Sequence, residues 1–119
     1  MKIQLKTSNI RENKWYLGFV TRQYVSDSKL RVYVELDDDP GREYMKSVPI
    51  DDSRNSQFAS FARKMDIIDE NGVVDTEELE EMAVKVILNR VKDGNLFIKT
   101  MLIDHEYYEE SEEYDGEYE

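Results

Sequence analysis

Residues 29–36 read KLRVYVEL, and this octet constrains the fold more than any other stretch of the chain. Leu30, Val32, Val34 and Leu36 alternate without a break with Arg31, Tyr33 and Glu35. In a helix these four apolar side chains would scatter around the axis, whereas in a strand they share one face. The segment therefore predicts a strand with a buried side and a wet side, which requires partner strands.

The neighbouring segments supply them. KWYLGFVTRQYV (14–25) is aromatic and β-branched and runs into the polar cluster SDSK, so 14–36 is expected to form an antiparallel hairpin. Trp15, Leu17 and Phe19 alternate onto one face, read here as core, and Tyr16, Val20 and Arg22 onto the other. DDDPGR (37–42) is a turn signal, and EYMKSVPI (43–50) reads as a third strand with Pro49 at its end. The period then changes. Phe58, Phe61, Ala62 and Met65 fall at helical spacing behind the N-cap candidates Ser53 and Ser56, and a short helical turn capped by Asp75 or Thr76 follows. MAVKVILNRV and NLFIKTMLI (95–103), around Asp93-Gly94, predict a second hairpin.

Three strands, a helix and two strands over residues 1–103 fit a mainly β domain. The expected architecture is an OB-like five-stranded Greek-key barrel with the helix between strands three and four. A split α+β sandwich has the same element order.

Charge is divided unevenly along the chain. The net charge is −11, yet all 16 Lys and Arg lie at or before Lys99 with 18 of the 27 carboxylates, leaving that body at −2. The last sixteen residues, DHEYYEESEEYDGEYE, hold nine carboxylates and four tyrosines with no Lys or Arg. Such a segment repels itself, so residues 104–119 are expected to be a disordered acidic tail.

Catalysis finds little support. There is no cysteine, and the one histidine, His105, stands among carboxylates. DIIDENGVVDTEELE lacks the alternating ligand spacing of a calcium loop, and no phosphate-cradling glycine loop or nucleophile elbow occurs. A non-enzyme without cofactor or metal is expected. MKIQLKTSNIRENKW carries no signal-peptide apolar run, and no stretch has the length to span a bilayer, so a cytoplasmic location away from membranes is expected.

Binding is better served. On the outward faces, Arg31 with Tyr33, Tyr44 with Lys46, and Lys85 with Phe97 and Lys99 offer rings for base stacking and cations for phosphates, as single strands require. The strand order over 14–103 followed by DHEYYEESEEYDGEYE resembles the single-stranded DNA-binding proteins of bacteria and phages. The likeness lies in architecture and charge layout, without a residue-level motif. It implies a tail that competes with DNA for the groove and recruits replication and repair partners, here basic proteins engaged through Glu109, Glu110, Glu112, Glu113, Tyr114, Asp115 and Tyr118. The alternative is a small acidic inhibitor that mimics DNA, of the phage anti-restriction or anti-CRISPR type, with fixed charge at Asp37 to Asp39 and at Glu77, Glu78, Glu80 and Glu81. A homo-oligomer is left open.

Overall fold

The computed structural model describes residues 1–3 and 10–109. Five strands form: β1 (Trp15–Ser26), β2 (Lys29–Leu36), β3 (Asp39–Pro49), β4 (Ala83–Arg90) and β5 (Leu96–Ile103). They lie antiparallel in one sheet of order β3-β2-β1-β4-β5. One helix, α1 (Gln57–Lys64), and a 3-10 turn (Thr76–Leu79) occupy the long connection between β3 and β4.

The mainly β domain expected from the sequence is one five-stranded antiparallel sheet, and no ladder closes it. Strand order in space departs from chain order because β1, the longest strand, sits at the centre. It pairs with β2 along most of its length and with β4 over Trp15–Phe19. The edge strands β3 and β5 share no ladder, and one side-chain bond spans the seam between them, from Lys46 Nζ to the Lys99 carbonyl at 2.9 Å.

Local chemistry explains the elements. The β1–β2 turn has Asp27 and Ser28 both at positive φ, the conformation that suits the twist of a two-residue hairpin. Ser56 caps α1 by accepting from Ala59 N at 3.0 Å, and Asp75 caps the 3-10 turn by accepting from Glu77 N at 3.0 Å. The turn before β3 is shorter than expected. Only Asp37 and Asp38 make it, and Pro40, Gly41 and Arg42 bulge out between the pairs Leu36↔Asp39 and Glu35↔Glu43.

Leu30, Val32, Val34 and Leu36 are fully buried, as their alternation demands, and pack with Phe61, Ala62 and Met65 in one core. The phase of β1 is the reverse of the expected one. Tyr16 and Val20 are inside, whereas Trp15, Leu17 and Phe19 are 45%, 51% and 38% exposed. Register forces this: Val20 lies opposite Val34, Gly18 opposite Leu36 and Tyr16 opposite Val86, so the even positions share the buried side. Gly18 is required there, because a Cβ would drive into the Glu35 carbonyl oxygen.

The segment expected to be a free tail begins as structure. Residues 105–109 are helical, Asp104 N donates to Ala83 O at 3.0 Å, and Ala83 N donates to the Tyr108 hydroxyl at 3.0 Å. The Tyr107 ring meets Phe19 edge-on at 5.4 Å. Beyond the end of β5 at Ile103 the chain therefore stays attached to the sheet through residue 108, held by two tyrosines. Among the described residues no helix is long and apolar enough to cross a membrane.

Candidate nucleic-acid interface

Beyond Val20 the β1–β2 register slips by one residue, so that Val20 faces Val34 but Arg22 faces Tyr33 and Tyr24 faces Arg31. A bulge of this kind re-aims the side chains that follow it. Without it Arg22 would share the buried side with Val20. With it, Arg22 and Tyr24 join Arg31 and Tyr33 on the outer face, two arginines and two tyrosines in a chequered square.

The square is tightly connected. The Tyr24 and Tyr33 rings stack with centroids 5.8 Å apart and planes 19° from parallel, and their hydroxyls lie 3.0 Å apart. The Arg22 guanidinium lies over the Tyr33 ring, its carbon 3.9 Å from the centroid. Arg31 donates from Nη1 to Ser26 O at 3.0 Å, which ties it to the turn. The shared hydroxyl bond with Tyr24 lifts the Tyr33 phenol above its ordinary value.

Glu43 on β3 orients Arg22. Arg22 Nη2 lies 3.2 Å from one carboxylate oxygen of Glu43, and Arg22 Nε donates to the other at 3.2 Å. The Thr21 hydroxyl at the bulge also donates to Glu43. That hydroxyl first, and Arg22 second, hold the Glu43 carboxyl below its usual range. A planar cation fixed beside two parallel rings suits a nucleobase with its phosphate. Arg22 covers one face of the Tyr33 ring and gives its Nε and Nη2 to Glu43, so Nη1 is the nitrogen left for a phosphate, and Tyr24, 40% exposed, is the ring left for a base.

The other sequence candidates scatter. Arg31 and Tyr33 belong to the square. Tyr44 does not: it is 2% exposed, its hydroxyl donates to Asp39 at 2.6 Å, and it lies on the core side of β3 with Val48. A ring so enclosed cannot stack on a base, and Tyr44 is corrected from platform to core. Lys46 shares that inward side and reaches β5 at the seam, where Lys99 also lies. Burial, and then the charge of Lys64, hold the Lys46 ammonium below the ordinary lysine value. Lys85 is on the outer face but at the far half of β1, its ammonium 5.3 Å from the Trp15 ring centre. Phe97 lies half-buried on β5, opposite Asn89.

Of the tail positions, Glu109 is exposed at the end of the helical turn. Glu110, Glu112, Glu113, Tyr114, Asp115 and Tyr118 lie outside the described residues. Arg22 and Tyr24 are the residues that sequence reasoning missed as site members. Their outward placement depends on the bulge at Thr21, which no local residue pattern announces. Comparison with protein-family models, curated proteins and solved structures returns no match.

Proposed function

We propose that this protein binds single-stranded nucleic acid, with DNA as the favoured form, on the outer face of the β1–β2 hairpin. The observation that carries the reading is the stacked Tyr24–Tyr33 pair flanked by Arg22 and Arg31 on an exposed sheet face. Bases stack on the tyrosines and phosphates pair with the arginines, a division of labour that tolerates any sequence. The reading brings an OB-like architecture with it. A five-stranded sheet whose edge strands return to bonding distance of each other is compatible with a partly open barrel.

In the same proposal the acidic segment from Asp104 is an internal competitor. Its root is fixed on β1 and β4 by Tyr107 and Tyr108, and a tethered competitor acts at a high effective concentration. When a strand displaces the carboxylates of this segment, they become available to a basic protein partner.

Fluorescence anisotropy with labelled oligo-dT tests the reading. Tyr33→Ala should weaken binding about tenfold, the scale of one lost base stack. Affinity should also fall steeply with salt in the unaltered protein. Absence of binding at low salt by the unaltered protein would overturn the proposal.

A further inference from the structure

The seam between β3 and β5 holds a second concentration of positive charge, separate from the tyrosine square. Lys46 from β3, Lys64 from the end of α1 and Lys99 from β5 line one cavity of about 300 Å³. No carboxylate lines it, and among the described residues none of the three lysines forms an ion pair. Lys46 donates one bond, to the Lys99 carbonyl, leaving two of its three donor hydrogens for another acceptor. We propose that this cavity is an oxyanion site that takes a phosphate group.

Three cations brought together without a counter-charge repel one another, and an anion between them removes that cost. Burial first, and the charge of Lys64 second, lower the Lys46 ammonium, and an anion in the cavity would oppose both effects. The helix dipole favours a cation in the last turn of α1 and so accounts for Lys64, but not for Lys46 and Lys99 on the facing strands. Ser60, Thr100 and Gln57 add hydroxyl and amide donors to the same wall. Three ammonium groups on three elements match the peripheral oxygens of a phosphate better than the two of a carboxylate. The volume exceeds that of the anion alone and lies near the lower bound for small-ligand pockets, so the phosphate has room for an attached group. Both a free phosphate compound and a backbone phosphate of a nucleic-acid strand have this chemistry.

Lys64 and Lys99 are exposed, so Lys64→Gln and Lys99→Gln should fold as the parent does. Inorganic phosphate titrated calorimetrically into each full-length protein should bind the parent, with affinity reduced about tenfold in either variant, as expected for loss of a charged hydrogen bond. Thermal unfolding gives a second readout. Phosphate stabilises proteins generally by exclusion from their surface, so the informative quantity is the additional Tm rise of the parent over the variants at equal ionic strength. Equal rises in all three proteins, with no heat of binding, would overturn the site.

The same variants titrated with oligo-dT distinguish the source, independently of Tyr24 and Tyr33. A parallel loss of oligonucleotide affinity assigns the site to a strand phosphate. Unchanged oligonucleotide affinity beside lost phosphate binding assigns it to a free phosphate compound.

Discussion

The outer face of β1 has two halves, built on one strand and facing the same way, with opposite characters. Before the bulge it presents Trp15, Leu17 and Phe19, paired with β4 throughout and with β2 only from Gly18 onward, and partly covered by Lys85 and Tyr107. After the bulge it presents Arg22 and Tyr24, paired with β2 on one side. On the other side the loop leading into β4 lies against it, through Glu81 N to Val20 O at 3.0 Å and Gln23 Nε2 to Glu80 at 3.2 Å. The first half is an apolar strip that the chain itself begins to cover. The second is a cation–aromatic square held by Glu43. One inserted residue divides them, so the character of this face depends on a register shift more than on composition.

The largest predicted effect removes the frame that both halves share. Gly18→Val places a branched side chain against the β2 backbone, and urea unfolding should show a loss of about 3 kcal/mol or more. A variant as stable as the parent would mean that β1 and β2 are not in this register.

The next prediction sets the halves against each other. Tyr24→Ala should reduce oligo-dT affinity about tenfold, whereas Trp15→Ala, on the apolar strip, should change it less than about twofold. Equal losses would merge the halves into one binding surface. The reverse order would move the site to the Trp15 end.

The smallest effect concerns the support of the square. Folding lowers the Glu43 pKa, through Thr21 and then Arg22, so its contribution is complete above the ordinary carboxylate value of about 4.3 and is lost as pH falls through the folded value. The pair is solvent-exposed, which limits the effect to about 0.5 kcal/mol. Between pH 6 and pH 3 the parent should therefore lose slightly more stability than Glu43→Gln, as measured by denaturant midpoints. Parallel pH profiles for the two proteins would show that the Thr21–Glu43–Arg22 linkage contributes nothing in solution.

Sequence reasoning located the elements because their signals are local. The alternation of 29–36, the helical spacing of Phe58, Phe61 and Met65, and the turn at Asp93-Gly94 each depend on a few adjacent residues. It inverted the face of β1 because Trp15-Leu17-Phe19 and Tyr16-Val20 are both apolar sets, and only pairing with β2 and β4 chooses between them. The same ambiguity misplaced Tyr44, whose ring suits either side of a strand. Half of the square, Arg31 and Tyr33, was legible from the clean alternation of β2. Arg22 and Tyr24 were hidden by a bulge that no turn residue announces, and the lysine cavity unites residues from three elements distant in sequence.

Photo-crosslinking tests the central claim most directly. The full-length protein, bound to an oligonucleotide carrying 5-iodouracil, is irradiated, and the adducts are mapped by mass spectrometry. Adducts at Tyr24 and Tyr33 are predicted, since those rings are assigned to stack on the bases. Adducts confined to Trp15, Phe19 or Phe97, with none at the two tyrosines, would contradict the account.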